Sequence, residues 1–166
     1  DVLCWLDLLK GNGAEEIVLY GISMGATAIA MASDRITDGR VKAMVLDCGF
    51  VSLYGLERGI IEKRKVPFWI VGAAFNYGSF RAKASPKEKA GDHLAKTNIP
   101  ALFVHGGEDA VVDKWQGMEN FNACASENKE FILVEGAGHT LASVLGGRKT
   151  RDKILKFTKG DFNCGK

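Results

Sequence analysis

Four short apolar runs recur along the chain with helix-patterned segments between them, and this alternation constrains the fold more than any other feature. The runs are residues 16–20 (EIVLY), 41–47 (VKAMVLD), 101–104 (ALFV) and 131–134 (FILV). Each is too short for a helix and rich in β-branched or large apolar residues, so each reads as a strand. Strands separated by helices pair in parallel through right-handed crossovers, with helices on both faces of the sheet. Strands buried on both faces read as near-continuous apolar runs, as these do. The expected architecture is a three-layer, parallel-sheet α/β fold.

The intervening segments carry helical signals. Residues 1–10 set Val2, Leu3, Leu6 and Leu9 on one face, with Asp1 and Lys10 at the ends the helix dipole favours and Gly11-Asn12-Gly13 as the stop. Ala26, Ala28, Ile29 and Ala30 make a helix of small residues that can lie close to a sheet. Trp115, Met118 and Phe121 recur every three residues behind a cap at Asp113. Ile154, Leu155 and Phe157 supply the apolar face of a final helix, which Gly146-Gly147 separates from the segment before it. Residues 51–98 break the alternation. They hold Glu62-Lys63-Arg64-Lys65, read as a solvated helix face, and then an aromatic stretch with Phe68, Trp69 and Phe75 that either fills a core or lines a pocket. The expectation is one domain over 1–166 with a cap or lid insertion at about 51–98.

Composition narrows the function classes. The chain has 166 residues, 46% hydrophobic and 25% charged, which suits a single globular domain with a sizeable core. A formal net charge of +2 gives no reason to expect nucleic acid or an anionic membrane as partner. No apolar run approaches the ~18 residues of a membrane-spanning helix. Cys4, Cys48, Cys124 and Cys164 form no C-x-x-C pair and have no histidine at zinc-ligand spacing. They read as buried or incidental thiols of a reducing compartment, which favours the cytoplasm. Spacing does not decide whether Cys124 and Cys164 pair.

The chemistry centres on Gly21-Ile22-Ser23-Met24-Gly25, a G-x-S-x-G motif directly after one expected strand and directly before one expected helix. That context makes it a nucleophile elbow. The serine must turn sharply, on strained backbone angles, to stand clear of the sheet. A Cβ at either flanking glycine is expected to collide as strand and helix fold past one another. The helix start places the Met24 N–H where negative charge is favoured, as an oxyanion hole requires. A serine hydroxyl needs a base. His139, in Gly136-Ala137-Gly138-His139 after the last strand, is the first candidate, ahead of His105, read as a turn stabiliser, and His93, read as a surface residue. The base needs an acid. Asp109, just past a strand end in His105-Gly106-Gly107-Glu108-Asp109, leads Asp47 and Glu108. The chain order Ser23, Asp109, His139 differs from the orders in chymotrypsin and subtilisin.

DVLCWLDLL before IVLYGISMGA, then MVLDCGF, IPALFVHGGEDAVV and VEGAGHT, resemble the α/β-hydrolase superfamily. Within it the resemblance is to bacterial serine hydrolases of the esterase, thioesterase and serine-aminopeptidase-like group. It covers nearly the whole chain and is weakest across 51–98. It implies the α/β-hydrolase fold without its N-terminal strands, as in a piece of a longer enzyme. The absent part would supply a neighbour for the strand at 16–20 and the loop giving the second oxyanion N–H. The resemblance also implies acyl transfer from a small-molecule ester, thioester or amide, or a peptide, with no metal or organic cofactor. Phe68, Trp69 and Phe75 are then expected to contact an apolar acyl group. The rival readings are a non-catalytic binding protein or fragment of this fold, and an acyltransferase in which an alcohol or amine replaces water.

Overall fold

The computed structural model describes residues 1–56, 69, 72–73, 76–78, 80 and 85–160. Helix α1 (Val2–Gly11) leads into β1 (Ile17–Ile22), α2 (Met24–Ala32), a short 3-10 turn (Ser33–Arg35) and β2 (Val41–Asp47). After the intervening segment come α3 (Ala90–Leu94), β3 (Ala101–Gly106), α4 (Lys114–Ala123), β4 (Lys129–Val134), α5 (Ala142–Leu145) and α6 (Gly147–Thr158). The strands form one sheet in the order β1-β2-β3-β4, and every pairing is parallel.

Alternate residues of the inner strands feed two cores, as the two-residue period of a strand requires. Met44, Leu46, Ala101 and Phe103 pack with Ala26, Ile29 and Ala30 of α2 and Ala90 and Leu94 of α3. Ala43, Val45, Leu102 and Val104 pack with Ala142, Ile154 and Phe157. The sheet therefore lies between helix layers, the three-layer arrangement expected. The small side chains of α2 let it sit directly on the strands. Leu6 of α1 closes a third cluster with Ile17 and Val41, at the N-terminal ends of β1 and β2. Phe121 meets Phe103 and Phe131 edge-on, with ring centroids 5.6 and 5.7 Å away.

The structure departs from the sequence pattern at several points. The strand expected at 16–20 is only partly buried: Tyr20 and Ile22 are 42% and 44% exposed, because β1 pairs with β2 alone among the described residues. In α4, Trp115 and Met118 face solvent, while Gln116, Gly117 and Asn120 are buried. The polar pair is held inside by backbone that needs partners. Val51 N–H donates to Gln116 Oε1 (3.2 Å), and Asn120 Nδ2 donates to the Phe50 carbonyl (3.2 Å). In α6, Thr150, Ile154 and Phe157 form the buried stripe and Leu155 is exposed. Leu9 of α1 is likewise exposed. His93 is not a free surface residue. Its ring lies between Asp34 Oδ1 and Glu88 Oε1, each 2.9 Å away. Cys4, Cys48 and Cys124 are free thiols, and Cys164 lies outside the described residues. No helix among the described residues is long and apolar enough to cross a membrane.

Candidate active site

The turn from β1 into α2 lifts Ser23 onto strained backbone, with φ 53° and ψ −115°. A non-glycine residue held there costs about 1–3 kcal/mol, and the surroundings must over-determine it. Ser23 N–H donates to the Asp47 carbonyl at the end of β2 (2.8 Å), and Thr27 N–H donates to the Ser23 carbonyl (3.1 Å). Thr27 Oγ1 accepts from Phe50 N–H (2.9 Å) and donates to the Phe50 carbonyl (3.2 Å), pinning α2 to the chain leaving β2. The two motif glycines are not equivalent. A Cβ on Gly21 would stand 2.5 Å from Ala26 N and from the Gly25 carbonyl carbon, whereas one on Gly25 meets nothing within 4 Å. The steric demand expected of both positions falls on Gly21, since Gly25 is an exposed residue in the first turn of α2.

Two loops at the carboxyl ends of β3 and β4 complete the site. Gly107 N–H donates to the Val134 carbonyl (2.8 Å) and Glu108 N–H to the Ala137 carbonyl (3.0 Å), which stitches them together. The crossing is tight enough that a Cβ on Gly106 would fall 2.3 Å from the Ala137 oxygen. Within the first loop the Asp109 side chain is fully buried. Its Oδ1 accepts from Val111 N–H and Val112 N–H, both at 2.8 Å. His105 Nε2 donates to the Val112 carbonyl (3.0 Å), holding the same turn from below.

These supports converge on a line of three side chains. Asp109 Oδ2 lies 2.7 Å from His139 Nδ1, and His139 Nε2 lies 3.0 Å from Ser23 Oγ. The line is self-consistent with Nδ1 protonated and the serine hydroxyl donating to Nε2. Of the rivals, His105 Nε2 lies 3.6 Å from Asp109 Oδ2 but is engaged by the Val112 carbonyl. Glu108 is exposed. Asp47 is fully buried, with Oδ2 accepting from the Tyr20 hydroxyl at 3.4 Å and Oδ1 without a hydrogen-bond partner. Burial pushes the Asp47 carboxyl above the usual carboxylate range. Met24 opens α2, so its amide is among the unpaired N–H groups at the positive end of the helix. Of the aromatic residues expected to contact substrate, Trp69 is exposed, while Phe68 and Phe75 lie outside the described residues.

One neighbour had no motif to announce it. Cys48 follows β2 with φ 45°, buried, and donor atoms of Cys48, Asp109 and His139 lie within 4.8 Å of one another. Burial, reinforced by the Asp47 charge, pushes its thiol up to about 12. The only hint in the sequence is position. Leu46-Asp47-Cys48-Gly49 ends a strand at the same sheet edge as the other loops.

Known proteins share this fold. A family model described as serine aminopeptidase, S33, matches residues 71–143, a span holding Asp109 and His139. The uncharacterized protein Rv2307c of Mycobacterium tuberculosis is 27% identical over 154 residues, 92% of this chain and 48% of its own. The human alpha/beta hydrolase domain-containing protein 17C is 28% identical over 129 residues, 78% of this chain and 32% of its own. Among solved structures, a Pyrococcus furiosus esterase, Pf2001, superposes with TM-score 0.71 at 17% identity, over 96% of this chain and 60% of that one. A monoacylglycerol lipase from Paleococcus ferrophilus also gives 0.71, at 13% identity, over 96% of this chain and 74% of its own. The chain has the α/β-hydrolase fold, and in sequence it is similar to α/β-hydrolase proteins. It spans about half the length of the bacterial relatives it matches, 48% of Rv2307c and 47% of the uncharacterized Escherichia coli protein YfhR. Its sheet is the parallel sheet of that fold, and the Ser23 turn and both loops sit at the carboxyl edge of the strands, where α/β sheets carry their sites.

Proposed function

We propose that this chain carries the nucleophile, base and acid of a serine hydrolase that cleaves an ester, thioester or amide through an acyl-enzyme. The observation that carries the reading is the unbroken line from Ser23 Oγ through His139 to Asp109 at 3.0 and 2.7 Å. Ser23 Oγ attacks the substrate carbonyl as His139 Nε2 takes its proton. Asp109 holds the ring in the tautomer this needs and stabilises the imidazolium that forms. The Met24 N–H faces the developing oxyanion, and the adjacent helix start favours that charge. His139 returns the proton to the leaving group. Water, deprotonated by the same ring, then releases the acid and regenerates Ser23.

An ester is the substrate class favoured, since the superposing structures are an esterase and a monoacylglycerol lipase by name. We assign the part of the 51–98 segment that precedes α3 as the cover over the site, with Phe68, Trp69 and Phe75 against an apolar acyl group, since Ala90 and Leu94 of α3 belong to the core. Rates that stay flat from acetyl to decanoyl esters would remove that assignment. The mechanism itself is tested by quenching the chain during turnover of an activated ester and weighing it. An acyl group on the Ser23 peptide is expected, and hydrolysis without any acylated species would sink the covalent route.

A further inference from the structure

Cys48 takes no part in this mechanism, yet its sulfur stands against two residues that do. The donor atoms of Cys48, Asp109 and His139 all lie within 4.8 Å of one another. A thiolate sulfur, an imidazole nitrogen and a carboxylate oxygen are donors that zinc takes, at about 2.0–2.3 Å from the metal. Donors around one tetrahedral ion then stand roughly 3.3–3.8 Å apart. Contraction of the set by about an ångström, with slight opening of the Asp109–His139 contact, would meet that geometry. The surroundings suit a divalent cation. Asp47 and Asp109 are both buried, Asp47 Oδ1 has no hydrogen-bond partner, and among the described residues His105 and His139 are the only basic side chains within 4 Å of the Asp109 carboxylate.

We propose that Cys48, Asp109 and His139 form an inhibitory site for zinc or a similar thiophilic divalent cation. Binding releases the thiol proton to solvent, and the sulfur, one ring nitrogen and one carboxylate oxygen each donate a lone pair. The metal pulls the ring out of its line between Ser23 and Asp109, so it no longer serves as base. Occupancy of the site does not depend on the acyl-transfer reading, whereas its inhibitory consequence does.

Two readouts separate them. Cadmium bound to thiolate absorbs in the ultraviolet, so titrating the folded chain with cadmium reads the site directly. The band is expected to shrink in Cys48→Ala and also in Cys48→Gly, a residue suited to the positive φ. In parallel, micromolar zinc is expected to slow fluorophosphonate labelling of Ser23 by about tenfold or more, with chelator restoring it. Both variants should label without metal and resist zinc. Equal cadmium bands in the parent and both variants would overturn the site, and equal slowing by zinc would overturn its inhibitory role. If the parent never labels, the acyl-transfer reading fails while the cadmium titration still decides the site.

Discussion

Gly21→Ala and Gly25→Ala are expected to move stability in opposite directions, although the motif treats the two glycines alike. At Gly21 the new Cβ would lie 2.5 Å from Ala26 N, 2.5 Å from the Gly25 carbonyl carbon and 2.6 Å from its oxygen. All three are backbone atoms, so no side-chain rotation relieves the clash. The start of α2 must shift, and Ser23 with it. Overpacking of this kind costs about 1–3 kcal/mol, and a domain of 150 residues or more loses about 2–4 °C of Tm per kcal/mol. Gly25 has nothing within 4 Å of its Cβ position and lies inside α2 at an ordinary φ. Alanine there gains up to about 1 kcal/mol by helix propensity. Thermal melts of both variants beside the parent decide the matter. A parent-like Gly21→Ala, or a Gly25→Ala as damaged as Gly21→Ala, would refute the packing described for the elbow.

Further expectations concern the helices, the acid and the surface. Phe157→Ala should cost about 3–5 kcal/mol in urea unfolding, and Leu155→Ala within about 0.5 kcal/mol of nothing; similar costs would mean the α6 stripe is misassigned. Asp109→Asn should lower the fluorophosphonate labelling rate by about 10⁴-fold, the size seen when the same change is made in a serine protease. Asp47→Asn should leave that rate within about tenfold, and the reverse ranking would transfer the acid role to Asp47. Hydrogen bonds from Arg40 hold the half-buried Asp38 carboxyl down at about 2. Because the folded value is depressed, the stabilisation is present above the ordinary 3.8 and lost as pH falls through about 2. The urea midpoints of the parent and Asp38→Asn should therefore converge as pH drops across that window, and a gap that does not change with pH would contradict the pairing.

The strands were legible because parallel sheets leave an unmistakable trace: β2 spans Val41–Asp47 as read, and β3 and β4 extend the apolar runs by two residues at one end. The helix faces were less legible. In α4 the apolar period pointed at Trp115 and Met118, but the buried side carries Gln116, which accepts from the Val51 N–H, and Asn120, which donates to the Phe50 carbonyl. No local pattern carries that information, since the partner lies some seventy residues away. Ser23, Asp109 and His139 stood out because each sits just past a strand end, in an order one fold uses. Asp47 also ends a strand, and only the three-dimensional path of the loops separates it from Asp109. Cys48 was hidden for the same reason. Its meaning depends on what folds against it from residues 109 and 139.

The most direct test of the acyl-transfer assignment is a fluorophosphonate probe applied to the folded chain, with the adduct mapped by peptide mass beside Ser23→Ala and His139→Ala. Labelling confined to Ser23, lost in the first variant and nearly lost in the second, is the expected result. No adduct on Ser23 in a chain whose melt shows it folded, or labelling indifferent to His139, would contradict the assignment.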